Sequence, residues 1–200
     1  MKGSLIILAF FIAGALLGYS GITPEVLSSD TVSAYALYFL LFIVGVGIGF
    51  DTRCWRILRE MHIKVLLVPV FIMLGTFAGA LATAPFIPGH SIRDVLAVGA
   101  GFGYYSLSSI MISQMGDTVL GSIALLSNII RELITLLAAP LLVRYFGKLG
   151  PLASGGATAM DTTLPIITRF SGERYGIIAV FSGMFLTVAV PFMVSAIMSW

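Results

Sequence analysis

The chain alternates long apolar runs with short polar connections. Residues 4–19 (SLIILAFFIAGALLGY) form the first run, 33–50 the second and 65–84 the third. A fourth, 95–114, is interrupted by Gly and Ser; a fifth covers 119–143 and the last 176–198. A helix needs about 20 mostly apolar residues to cross the hydrocarbon layer. Backbone polar groups at that depth must be bonded within the segment, so these runs predict transmembrane α-helices. The short alternating strands of a membrane barrel do not occur in the pattern. Residues 151–168 are semi-polar. Read as a crossing they give seven passes, the better fit; read as re-entrant they give six. The expected fold is all-α: a polytopic integral membrane protein with about six to seven transmembrane helices in a single domain over 1–200.

Composition agrees. Of 200 residues, 58% are hydrophobic and 10% charged, where a soluble domain carries roughly 25% charged residues. The net charge of +2 and the lack of a long basic run give no reason to expect nucleic-acid binding. Cys54 is the one cysteine, so neither an intrachain disulfide nor a Cys-rich metal site is expected. Lys2 before the first run has the look of a signal peptide, but no A-x-A-like site follows it, and a retained helix fits better.

The connection after the second run holds Arg53, Arg56, Arg59 and Lys64 against Asp51 and Glu60. Lys and Arg collect on the cytoplasmic side, so the 51–64 loop and the amino terminus are expected in the cytoplasm. Residues 20–32 carry Glu25 and Asp30 and no base, which suits the outside.

Charged residues inside the apolar runs carry the functional information. Glu132 lies mid-way along the fifth run, beside Arg131, and Asp161 lies in the semi-polar segment. A charge near the bilayer centre costs about 2.5–3.5 kcal/mol on insertion scales, so such residues face a polar interior or a partner. Neighbouring helical residues point about 100° apart, so Arg131 and Glu132 address different spots. Ser127, Asn128, Glu132 and Thr135 are read as one helix side and a candidate cavity lining. The structural alternatives are interhelical hydrogen bonding and an Arg131–Asp161 ion pair.

Two stretches predict broken or re-entrant helices, near 99–109 and 154–165. The first holds Gly99, Gly101, Gly103, Tyr104, Tyr105 and Ser106; the second holds Gly155, Gly156, Thr158, Asp161, Thr162, Thr163 and Pro165. Glycine permits non-helical backbone and proline removes a donor. At membrane depth such backbone must be covered by protein or line a cavity. Transporters place binding sites at these breaks, where half-helix N-termini attract carboxylates and freed carbonyls attract cations. Gly45, Gly47 and Gly49 read instead as close helix packing. Enzyme readings fare poorly. Both histidines, His62 and His90, fall in loops, no H-E-x-x-H is present, and no strand precedes the glycines of 99–103.

The strings GFGYYSLSS (101–109), NIIRE (128–132) and GGATAMDTTLPIIT (155–168) resemble those of the LysO-type lysine exporters, over essentially the whole chain. That resemblance implies an inner-membrane secondary transporter that expels L-lysine and analogues such as thialysine. It implies proton antiport through two essential carboxylates, which match Glu132 and Asp161. No cofactor is expected. With them, Asn128, Arg131, Thr135, Tyr104, Tyr105, Ser106, Gly155, Gly156, Thr158, Thr162 and Thr163 are the candidate cavity residues, and no metal site is expected. The expected partners are L-lysine, protons and the lipid bilayer. Longer members carry further hydrophobic segments ahead of the matched region. The expectation is therefore either a chain that works alone, a homo-oligomer included, or a small separate membrane protein that supplies the extra N-terminal helices. A carboxylate in low dielectric can hold a proton and release it to a competing ammonium, which would couple the two fluxes. A sodium or other cation/proton antiporter, a channel, and an accessory subunit with structural ion pairs fit the same residues less specifically.

Cys54 tests the orientation. In intact cells it is expected to resist a membrane-impermeant maleimide and to label after permeabilisation; labelling in intact cells would invert the topology.

Overall fold

The computed structural model describes residues 65–115 and 117–200, with isolated positions between 12 and 46. Those isolated positions are helical wherever they fall in the first two apolar runs. The 51–64 loop with Cys54, and Gly45, Gly47 and Gly49, lie outside the described residues.

Every element among the described residues is helical. In chain order these are α1 (Leu67–Thr83), a 3-10 turn (Ala84–Phe86), α2 (Ile92–Gly99), α3 (Tyr105–Gln114), α4 (Thr118–Phe146) and α5 (Gly150–Gly155). A 3-10 segment (Gly156–Met160), α6 (Leu164–Ser171) and α7 (Glu173–Met198) follow. Among the described residues, three stretches are long and apolar enough to cross a membrane: Leu67–Phe86, Thr118–Phe146 and Glu173–Met198. With its all-helical architecture and apolar spans, the chain is a membrane protein.

Side chains that satisfy free backbone groups set several of the helix ends. Ser91 and Asp94 form a reciprocal capping box at the start of α2, which bonds two otherwise orphaned N–H groups. Asp117 accepts the Leu120 N–H at 2.7 Å and so starts α4. Pro151 and Pro165 stand in the first turns of α5 and α6, where a missing N–H does no harm. Pro140 and Pro191 lie inside α4 and α7. Each removes one ladder bond, which membrane helices tolerate when neighbours re-satisfy the freed carbonyl.

The fourth apolar run is not one helix. It divides into α2 and α3 around a break at 100–104. Of the expected irregular stretch 99–109, residues 105–109 are already helical. The second stretch breaks over most of its expected length, from the 3-10 segment at Gly156 to the start of α6 at Leu164.

Helix α3 packs along α4, and α7 packs against the 3-10 segment and α6. Of the three spans α7 is the most enclosed, with 56% of its apolar window buried against 28% for α4 and 17% for α1. Its Gly183 lets the 3-10 segment lie directly on it. A Cβ there would come within 2.8 Å of the Ala157 carbonyl oxygen and the Met160 nitrogen. The irregular backbone thus lies against a buried helix face and not against lipid, as the bilayer demands.

Gly156 combines a φ of 62° with direct contact to the other break, since a Cβ there would overlap the Phe102 carbonyl oxygen. A side chain in that conformation costs about 1–3 kcal/mol before the overlap is counted. Gly156→Ala is therefore expected to lower the thermal midpoint of the detergent-solubilised protein clearly. An unchanged midpoint would mean that the two breaks do not touch.

Candidate functional site

The first break is a series of tight turns. Phe102 N donates to Gly99 O at 3.0 Å and Tyr104 N to Gly101 O at 2.6 Å. Phe102 and Gly103 both have positive φ, 45° and 97°. Two contacts hold this unusual backbone. The Phe102 ring is buried and meets Phe77 of α1 edge-on at 5.4 Å. The Gly103 N–H donates to Asn128 Oδ1 on α4 at 2.8 Å, while Asn128 Nδ2 donates to Ala124 O at 2.9 Å.

The second break is closed by threonines. Thr158 Oγ1 donates to Gly155 O at 2.9 Å, and Thr163 sends both its N–H and its hydroxyl to Thr158 O, each at 3.0 Å. Thr162 donates its N–H to Asp161 Oδ1, and its hydroxyl reaches the same oxygen at 3.3 Å. The two breaks are joined by one backbone bond, Ala157 N–H to Phe102 O, at 2.8 Å.

Helix α4 runs behind both. Asn128, Glu132 and Thr135 are buried, at the i, i+4, i+7 spacing of one face. Ser127 does not share it and is exposed, because one residue back is a turn of about 100°. Arg131 points elsewhere than Glu132, as expected. Its Nε donates to Ser154 O at 2.7 Å and its Nη2 to Ala153 O at 3.0 Å, both on α5. Thr135 Oγ1 donates to Arg131 O at 2.9 Å and accepts from Ser154 Oγ at 2.7 Å. The Arg131–Asp161 ion pair is not formed. The end of α5 offers carbonyls without helical partners, and they take the guanidinium before it can reach Asp161.

A cavity of about 150 Å³ opens between the breaks. Tyr104, Tyr105 and Ser106 line it from the first side, and Thr158, Asp161 and Thr162 from the second. Gly103, Ala157, Met160 and Thr187 complete the wall and were not among the sequence candidates. Asn128, Arg131, Thr135, Gly155, Gly156 and Thr163 lie outside this lining and form the layer that holds it. Glu132 also lies outside it, 1% exposed, on the buried face of α4 that carries Asn128 and Thr135. Asp161 is exposed, and Tyr104 faces the same cavity. Thr187 comes from α7. One sign of it in the sequence is its place four residues before Pro191, which takes away the helical partner of the Thr187 carbonyl.

The arrangement offers one accessible carboxylate, several hydroxyls and the N-terminal turn of α3. The helix dipole favours an anion at such a turn. The cavity therefore presents acceptors for a cationic group on one side and donors for an anionic group on the other.

The model of the family described as lysine exporter LysO matches residues 8–198. The chain belongs to the lysine exporter LysO family. It is 31% identical over 184 residues to the lysine exporter LysO of Escherichia coli (strain K12), covering 92% of this chain and 60% of that protein. It is also 31% identical over 159 residues to a putative lysine exporter of Haemophilus influenzae, covering 78% of this chain and 79% of that one. No solved structure matches. The resemblance carried by the 101–109, 128–132 and 155–168 strings thus holds across the chain, and this membrane protein is a member of an exporter family.

Asn128 is the one side chain seen to hold the Gly103 amide. Asn128→Ala would leave a buried N–H unbonded, at about 1–3 kcal/mol. A lower thermal midpoint in detergent is expected, and a midpoint within error of the parent would remove Asn128 from this role.

Proposed function

We propose that this chain exports L-lysine, and analogues such as thialysine, across the inner membrane in exchange for protons. The observation that carries the reading is the placement of the two carboxylates at the crossing of the broken helices. Asp161 lines the cavity, and Glu132 is buried on the face of α4 that also holds Asn128, which bonds the first break.

Lysine carries two ammonium groups and one carboxylate. In this reading an ammonium meets Asp161, with the Thr158 and Thr162 hydroxyls beside it. The substrate carboxylate meets the start of α3 at Ser106, where the helix dipole favours an anion. Proton and ammonium compete for the carboxylates, and this competition links outward lysine to inward protons. Binding at a break has a general advantage, because unwound backbone brings donors and acceptors to one place that a continuous helix would keep bonded.

The proposed orientation keeps the amino terminus and the 51–64 loop in the cytoplasm, where Lys and Arg collect. The proposed partners are L-lysine, protons and the bilayer, with either a small separate membrane protein that brings further helices or a second copy of the chain. The chain spans about 60% of its Escherichia coli relative, so the complete unit is best tested with any such companion present.

Reconstituted vesicles provide the test. Vesicles containing the protein are expected to release protons in response to a lysine gradient, with thialysine competing. Glu132→Gln and Asp161→Asn are each expected to reduce exchange by at least about 100-fold while running as folded protein on size exclusion. The amides keep shape but carry no exchangeable charge, and loss of a group essential to a proton-transfer step typically removes 10²–10⁴ of rate. Wild-type exchange in either variant would take that residue out of the mechanism. Lysine movement driven by sodium and indifferent to an imposed pH gradient would replace the proton as coupling ion.

A further inference from the structure

In a continuous helix the Ala153 carbonyl would receive the N–H of Ala157, four residues on. Here that N–H is diverted to Phe102 O of the other break, at 2.8 Å. The Ala153 carbonyl is not left empty. Arg131 Nη2 takes it at 3.0 Å, and Arg131 Nε takes Ser154 O at 2.7 Å. One guanidinium thus stands in for the donors that the unwound chain gave up. Its planar fork is suited to reach two neighbouring acceptors at once. The same group also covers the turn. A Cβ on Gly156 would lie 3.2 Å from Nη2, so Arg131 fills the space above the residue where the helix departs. From Gly156 the 3-10 segment leads directly to Asp161.

We propose that Arg131 is a positioning residue of the transport site. By bonding the terminal carbonyls of α5, it holds the break open and fixes where Asp161 stands against the cavity. It neither pairs with Asp161 nor binds the transported molecule. The proposal rests on the exporter reading for its functional consequence, while its structural part stands independently.

The test uses the full chain, with Arg131→Met, which removes all donors, and Arg131→Gln, which keeps one amide group able to donate. Hydrogen exchange followed by mass spectrometry is read on peptides covering 153–162 and 101–108. Arg131→Met is expected to speed exchange in both by at least about tenfold, with the α7 peptides unchanged and Arg131→Gln intermediate. Unchanged exchange at the two breaks would overturn the proposal. If Arg131→Met yields no folded protein, Arg131→Gln decides alone by the same criterion.

In vesicles, Arg131→Gln is expected to raise the KM for lysine by roughly tenfold with maximal rate per folded protein largely kept. A displacement of about 1 Å at a binding group has effects of that order or larger. A lower maximal rate at unchanged KM would mark a merely structural residue and overturn the positioning role. So would full rescue by Arg131→Lys of an inactive Arg131→Gln with unaltered exchange, which would show that charge alone matters. If the parent protein moves no lysine but the breaks loosen as described, the exporter reading fails while the clamp by Arg131 stands.

Discussion

A single backbone hydrogen bond, from Ala157 N–H to the Phe102 carbonyl, ties the two interrupted helices together. Its existence depends on close approach. Gly103 and Gly156 stand at the contact, and a Cβ on Gly103 would come within 2.7 Å of the Gly155 carbonyl oxygen. Hydrocarbon offers no water to satisfy an opened backbone, and each unbonded group there costs several kcal/mol. Two breaks placed apart would each carry that cost. Placed together, with Asn128 and Arg131 supplying the remaining donors and acceptors, they satisfy one another.

Helix α4 is the common support. Within two turns it sends Asn128 to the first break and Arg131 and Thr135 to the second, and it carries Glu132 on the buried face between them. Glu132 therefore cannot shift relative to either break without disturbing several hydrogen bonds. Asp161 is held differently, by the Thr162 N–H and hydroxyl next to it in the chain. Its local surroundings are polar and its side chain is exposed. The two acids are thus chemically alike but differently placed, one enclosed and one at a cavity wall. The proposed exchange of proton and ammonium would use that difference.

Helix α7 contributes by closing the other side. Gly183 accepts the 3-10 segment at backbone distance, and Thr187, one turn on, reaches the cavity. Membrane helices gain little from apolar burial among themselves, so small residues and short hydroxyls do much of the joining. The buried hydroxyls of Thr135, which meets Ser154, and of Thr187, which meets the Met160 sulfur, fit that pattern.

The helical class, the membrane setting and the sites of interruption were legible along the chain. Apolar run lengths speak directly to bilayer thickness, and clustered Gly, Thr and Pro speak to broken backbone. Glu132 and Asp161 stood out because charge is rare in such surroundings. Helical periodicity joined Asn128, Glu132 and Thr135, although it drew Ser127 onto their face by mistake. Sequence could not say what Arg131 binds, because an adjacent acid and a distant aspartate were the obvious partners and carbonyls leave no mark in a sequence. Nor could it separate the residues lining the cavity from those bracing it. Tyr104, Ser106 and Thr162 lie in the same strings as Gly155, Gly156 and Thr163. Which of them meets the cavity depends on how two breaks about 50 residues apart in the chain cross in space. That crossing is set by glycine contacts and by one backbone bond, made by an N–H diverted from its own helix. These are tertiary facts, since local pattern reports the conformation a segment prefers and not the neighbour that completes it.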